Sequence, residues 1–223
     1  QKKNAPPLRI GFVGSGFIAR FHLEAFLGVR DARISGVFSP TPAHREALAA
    51  EAGRLGLGPC APFPSIESML RSGEVDAVWL LGPNSTRLAN MRAIHREVKA
   101  GRATLRGVAC EKPLARNLAE AREMLRLAED ANLNHGYLEN QLFSTAVRRG
   151  REIIWRRAAP IAGRPYLARA SEEHSGPHAP WFWRGEEQGG GVLSDMMCHS
   201  VEVARYLLTE PGRDRHSLRP LSA

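Results

Sequence analysis

Cysteine is scarce in this chain. Cys60, Cys110 and Cys198 are the only three among 223 residues, an odd number with no CxxC spacing. That argues against a disulfide framework and a cysteine-rich zinc site, and it suits a reducing, cytoplasmic setting. No apolar run approaches the ~18 residues that a membrane helix needs, so no membrane partner is expected. Internal repeats and low-complexity tracts are lacking too. What remains is an ordinary globular composition, 43% hydrophobic and 24% charged, which does not suit disorder, collagen or coiled coil. At ~100–200 residues per domain, the length allows one large domain or two small ones.

The net charge of +8 is concentrated. Between Ser144 and Arg169, the arginines 148, 149, 151, 156, 157, 164 and 169 face a single acid, Glu152. No nucleic-acid motif accompanies them, so this reads as a solvated helix face with some attraction for phosphorylated ligands. The chain opens at Gln1. Lys2, Lys3 and Arg9 before Ile10–Ala19 only faintly imitate a signal peptide, because glycines interrupt the stretch and Arg20 follows it.

Strand and helix patterns alternate through the first 140 residues. Strands are expected at Leu8–Val13, Arg33–Phe38, Val75–Leu81, Val108–Cys110 and Asn134–Leu138. Helices are expected at Phe17–Leu27, Ala43–Leu55, Ile66–Arg71 capped by Ser65, Asn84–Lys99 capped by Asn84, and Asn117–Asn132. Such alternation predicts an α/β fold, a doubly wound parallel sheet with helices on both faces. After Asn140 the pattern thins to a helix over Thr145–Arg157, one strand over Pro165–Ser171, an irregular stretch over Ser175–Gln188 and a helix over Val192–Leu208. Residues 1–140 are therefore expected to form a dinucleotide-binding domain, and 141–223 an incomplete, loosely packed α/β substrate domain.

Gly14-Ser15-Gly16-Phe17-Ile18-Ala19 follows a strand and opens a helix, the GxGxxA form of the dinucleotide fingerprint. Gly14 makes the tight turn, Gly16 admits a pyrophosphate to the backbone, and the helix start at Phe17 and Ile18 offers unpaired N–H groups. About 20 residues past the glycines, an NAD site usually carries an acid for the ribose hydroxyls. Here stand Ser39, Thr41, His44 and Arg45. Hydroxyls beside a cation suit a 2′-phosphate, so NADP is expected over NAD.

Four motifs occur in order: the GxGxxA turn, Gly82-Pro83-Asn84, Glu111-Lys112-Pro113, and Gly189-Gly190-Gly191-x-Leu193-x-Asp195-x-x-x-His199. Together they resemble the Gfo/Idh/MocA family, relatives of glucose–fructose oxidoreductase and inositol dehydrogenase, over residues 8–208. The resemblance implies a Rossmann domain followed by an α/β domain on an open sheet, and a homo-oligomer at full length. It implies hydride transfer between NAD(P) and a carbinol carbon of a sugar or polyol. Lys112, Asp195 and His199 would be the catalytic group, with Gly82, Pro83, Asn84, Glu111 and Lys112 against the cofactor. Two alternatives share the fold: a glycosidase-like or epimerising enzyme that cycles bound cofactor, and a non-catalytic NAD(P)-binding regulator. Two departures stand out. Arg87 replaces a histidine common in relatives, and only 24 residues follow His199, as expected of a C-terminally truncated member with little or no turnover of its own.

The residue types suit that chemistry without the family. Asp195 and His199 are four apart, so one helix would place them on one face. An imidazole suits removal of a hydroxyl proton, a carboxylate can orient its ring, and a lysine can polarise the substrate oxygen. A second polar cluster holds Glu172, His174 and His178, with Cys198 and His199 as further conceivable metal ligands. No metal site is expected there; a sugar-binding loop is, with Trp181 and Trp183 as flat platforms and His174, His178 and Arg184 on the hydroxyls.

Overall fold

The apolar run Leu8–Val13 becomes β1, a central strand of a six-stranded parallel sheet in a computed structural model of the chain. Residues 6–177, 179–214, 217–219 and 221–222 are described. The other strands are β2 (Ala32–Phe38), β3 (Ala61–Phe63), β4 (Ala77–Leu80), β5 (Gly107–Glu111) and β6 (Asn134–Leu138), in the order β3-β2-β1-β4-β5-β6. This is the doubly wound order, and the chain reverses direction across the sheet at β1. Val13 lies level with Phe38 on one side and Leu80 on the other, and Leu80 with Cys110. The turns after β1, β2, β4 and β5 therefore open at one edge, where such sheets bind ligands.

Alternation along the strands feeds two cores. Ile10 and Phe12 pack with Leu23, Ile34 and Leu48, beneath α1 (Phe17–Ala25) and α2 (Pro42–Arg54). Val13, Val78 and Leu80 pack with Met69, Met91, Ile94 and Met124. Those come from α3 (Ile66–Arg71), α4 (Asn84–Lys99) and α5 (Leu118–Asp130). Burial on both faces explains why these strands are nearly continuous apolar runs. The caps follow the sequence: Ser65 Oγ accepts from Ser68 N at 3.0 Å, and Asn117 Oδ1 from Glu120 N at 3.0 Å. Asn84 is a correction. It is the first residue of α4, makes no cap bond, and sends its side chain elsewhere. Strand β3 has no sequence signal, being three residues paired only with Gly36–Phe38.

By packing, the chain divides into two units, residues 1–138 with 184–189, and 139–183 with 190–223. The second contains α6 (Thr145–Glu152), a π-helical turn over Ile153–Ala158, α7 (Ala159–Ala162), α9 (Gly191–Asp195) and α10 (Met197–Leu208). The first unit takes α8 (Gly185–Gln188). Trp155 Nε1 donates to the Leu207 carbonyl at 2.8 Å, and Arg151 lies over the Tyr206 ring at 4.4 Å. Part of the arginine patch thus fastens helices rather than facing water.

Two further expectations are corrected here. Pro165–Ser171 joins no sheet, and the second unit contains no strand among its described residues. A strand needs a neighbour for its N–H and C=O groups, and none of these residues supplies one. The helix expected over Val192–Leu208 is broken at Met196 (φ −105°, ψ −46°), where His199 N–H reaches the Met196 carbonyl three residues back. No described helix is long and apolar enough to cross a membrane.

Candidate functional site

At the switch point the β1–α1 turn holds Gly14 at φ +124°, with its N–H on the Phe38 carbonyl at 2.8 Å. A Cβ there would lie 2.8 Å from both Gly82 N and Leu81 C, so only glycine fits. A Cβ on Gly16 would meet nothing within 4 Å. That open side, at the start of a nine-residue helix with no acid in its first turn, is suited to an anion. Ala19 is fully buried, which lets α1 lie close on the sheet. Phe17 is exposed, and Ile18 packs partly into the core.

Ser39 directly follows β2 and is buried, its carbonyl accepting from Arg45 Nη1 at 3.2 Å. Thr41 and His44 are exposed and Arg45 half-buried. No carboxylate occupies the end of this strand.

Arg87, flagged in the sequence only as a missing histidine, proves to be a buried clasp. It donates from Nε to the Gly82 carbonyl at 3.1 Å, from Nη1 to the carbonyls of Glu111 (2.7 Å) and Pro113, and from Nη2 to that of Lys112 at 3.2 Å. The Gly82 and Glu111-Lys112-Pro113 turns are thereby fixed to one another. The Glu111 carboxylate is also engaged, 2.7 Å from His22 Nε2 and accepting from Lys112 N at 2.9 Å. Burial pushes the Cys110 thiol up to about 11 and the Cys60 thiol up to about 12, which removes both from thiolate chemistry.

Asn84, expected as a helix cap, donates from Nδ2 to the carbonyl of Gln188 at 2.8 Å. Gln188 is 2% exposed, and Arg116 Nη1 donates to the Glu186 carbonyl at 2.6 Å. Gly189, at φ +97°, allows this approach, since a Cβ would stand 2.3 Å from the Arg116 carbonyl oxygen. Pro83 directly precedes α4 and is half-buried.

The second unit contains Asp195 and His199. Asp195 closes α9, one residue before α10 begins, and its carbonyl accepts from Cys198 Sγ at 3.3 Å. His199 is buried in the first turn of α10, and its Nδ1 lies 2.6 Å from Oε1 of Glu139. Glu139, which no sequence motif singles out, is thereby brought to His199; its one signal is an acid directly after an expected strand. Among the described residues one group has metal-ligand spacing, Glu139, Cys198 and His199, with ligand atoms within 4.8 Å. Glu172 and His174 are not in it: Glu172 accepts from Gln141 Nε2 at 2.9 Å, and His174 Nδ1 accepts from Gly176 N at 3.0 Å. Trp181 stacks on Phe182 at 3.9 Å between ring centroids, and Trp183 is exposed. Arg184 belongs to the first unit, where it pairs with Glu187 at 3.0 Å. His178 lies outside the described residues.

The sheet order and the glycine turn define a dinucleotide-binding Rossmann fold. Residues 8–136 match the family model described as "Oxidoreductase family, NAD-binding Rossmann fold", and residues 158–217 match the "GFO/IDH/MocA C-terminal domain". The chain belongs to the GFO/IDH/MocA family. It is 32% identical to 1,5-anhydro-D-fructose reductase of Ensifer adhaerens over 209 residues, covering 91% of this chain and 57% of that protein. It is 28% identical to inositol 2-dehydrogenase of Rhizobium meliloti over 205 residues, 91% of this chain and 56% of that one. Among solved structures, GenD2 from gentamicin A biosynthesis, in complex with NAD, superposes with a TM-score of 0.74 at 22% identity, covering 94% of this chain and 56% of GenD2. The chain spans a little over half the length of these curated relatives.

Proposed function

We propose that this chain belongs to an NAD(P)-dependent oxidoreductase that moves hydride between a nicotinamide and a carbinol carbon of a sugar, polyol or related small molecule. The observation that carries this reading is the Gly14–Gly16 turn. One glycine is locked against the neighbouring strand end, and the other leaves an open, acid-free helix start facing the space a pyrophosphate needs. The names of the relatives, a sugar reductase and a polyol dehydrogenase, support the substrate class.

The turns at Gly82–Asn84 and Glu111–Lys112, fastened by Arg87, would line the cofactor at the same sheet edge. When bound, the nicotinamide accepts the hydride. Lys112 would polarise the substrate oxygen, His199 would take the hydroxyl proton, and Asp195 would act beside it. Trp181, Trp183, His174, His178 and Arg184 remain the proposed sugar contacts. Preference for NADP is supported by Arg45, whose guanidinium lies at the end of β2 where an NAD site carries an acid. Three free cysteines support a reducing, cytoplasmic setting. A homo-oligomer, and a boundary near residue 140 between cofactor and substrate domains, complete the proposal.

Fluorescence titration of the purified chain with NADPH and NADH tests the binding, and slow oxidation of free polyols tests the chemistry. Saturable binding is expected, with reduction of NAD(P) lost in Lys112→Ala and His199→Ala while binding persists. A chain that binds neither dinucleotide, or turnover unchanged in both variants, overturns the reading.

A further inference from the structure

We infer that Glu139 is a positioning residue for His199: it holds the imidazole in the tautomer that leaves Nε2 free to take the substrate proton, and it supplies the counter-charge once the ring is protonated. The inference rests on the proposed oxidoreductase reading for its chemistry, but its geometry is independent of that reading.

Glu139 follows β6 directly and opens the 3-10 turn Asn140–Phe143, where its Oε1 accepts from Gln141 N at 3.1 Å. The same oxygen lies 2.6 Å from His199 Nδ1. Both residues are buried, Glu139 at 3% and His199 at 5% exposure. A carboxylate only accepts hydrogen bonds, so the ring proton must be on Nδ1. Neutral His199 then carries its lone pair on Nε2, and that nitrogen makes no hydrogen bond among the described residues. The second oxygen, Oε2, is buried with no partner among them. A bare buried acceptor is unfavourable, so the carboxylate has uncompensated charge to direct at the ring.

In the proposed step the substrate O–H bond breaks and its proton moves to Nε2. The C–H electron pair leaves as hydride to the bound dinucleotide, and a C=O bond forms. His199 ends as an imidazolium with both nitrogens protonated, and only then does a full ion pair with Glu139 exist. An interaction that strengthens along the step favours the transition state over the ground state. The arrangement follows the logic of a buried carboxylate behind a catalytic histidine.

A metal ion on Glu139, Cys198 and His199 is the competing account of this cluster. It fits the distance poorly. Two ligands at ~2.0–2.1 Å from a tetrahedral ion stand about 3.3 Å apart, whereas Oε1 and Nδ1 are 2.6 Å apart, the length of a charge-assisted hydrogen bond.

Nitrogen-detected NMR of the ¹⁵N-histidine-labelled chain reads the His199 tautomer directly. The neutral ring is expected to be protonated at Nδ1 in the unaltered protein and in Glu139→Gln, whose amide oxygen can still accept. It is expected to shift toward the Nε2–H form in Glu139→Ala. In polyol oxidation Glu139→Gln, lacking the charge, should lower kcat by roughly 10- to 100-fold with KM nearly unchanged, a split that mere loss of structure does not produce. An Nε2–H tautomer in the unaltered chain overturns the inference. So does stoichiometric binding of zinc alone that moves the His199 resonances and is abolished in Glu139→Gln. If the tautomer is as expected but the chain binds neither NADPH nor NADH, the oxidoreductase reading fails and the His199–Glu139 geometry stands.

Discussion

Arg87 and Lys112 meet through the backbone: the guanidinium Nη2 of Arg87 donates to the Lys112 carbonyl at 3.2 Å. The neighbouring carbonyls of Glu111 and Pro113 share Nη1. A lysine proposed to act on substrate is thus held by its main chain, while its side chain extends from a fixed turn. Replacing Arg87 with Met keeps most of the volume and removes every donor. We expect Arg87→Met to lose about 3 kcal/mol in denaturant unfolding, since each buried carbonyl left short costs ~1–3 kcal/mol and part of that is recovered by water. Dinucleotide affinity should fall as well. Stability within experimental error of the parent would show that the clasp is dispensable.

Gly14 and Gly16 should respond in opposite ways to the same added methyl group. Gly14→Ala forces a Cβ into the Gly82 backbone at positive φ, so both the fold and the binding should suffer, by ~1–3 kcal/mol of stability. Gly16→Ala adds its Cβ where the protein has no atoms; stability should change by under ~0.5 kcal/mol while dinucleotide binding weakens. Thermal melting and fluorescence titration on both variants separate the two effects.

Glu97 gives a pH signature. Its carboxylate accepts from Arg71 Nε at 2.7 Å and Arg102 Nε at 3.0 Å. Hydrogen bonds from Arg71 and then Arg102 hold the carboxyl well below the usual carboxylate range. The unfolded chain therefore binds this proton at a higher pH than the folded one. The stabilisation is fully present above about pH 4.3, the ordinary glutamate value, and is lost as the pH falls toward the depressed folded value. At neutral pH, Glu97→Gln should melt below the parent, and the gap should narrow on acidification from about pH 5 downward. A gap that widens in acid contradicts this assignment.

Cofactor choice should turn on position 39. An aspartate there would repel a 2′-phosphate and accept from ribose hydroxyls, so Ser39→Asp is expected to move the NADPH/NADH affinity ratio toward NADH by about tenfold or more. Titration of both reduced cofactors measures it. A ratio already favouring NADH in the parent refutes the NADP preference.

Much of the first unit is legible in the sequence because its strands are short apolar runs bounded by turn residues and two of its helices, α3 and α5, carry ordinary side-chain caps. Leu8–Val13, Ile66–Arg71 and Asn134–Leu138 stand where the pattern places them. Strand β3 escaped because three residues, Ala61-Pro62-Phe63, have no period to detect. Pro165–Ser171 departs from its expectation for the converse reason: its composition suits a strand, but pairing depends on a neighbour that composition does not reveal. The chemistry-bearing types were visible at Lys112, Asp195 and His199. Their supporting contacts were not, because Arg87 and Glu139 act through separations of 24 and 60 residues that no local pattern encodes.

The hydrogen bond from Asn84 to the Gln188 carbonyl spans 104 positions of the chain. On a ribosome adding ~5–20 residues each second, Asn84 emerges about 5–20 s before its acceptor. The nucleotide-binding unit is therefore left open on that side during synthesis, and it closes only after the segment between residues 139 and 183 has been made. Its assembly is interleaved with that of its neighbour, so a nascent-chain experiment should find the α4 terminus reaching full protection from hydrogen exchange only once α8 has cleared the exit tunnel.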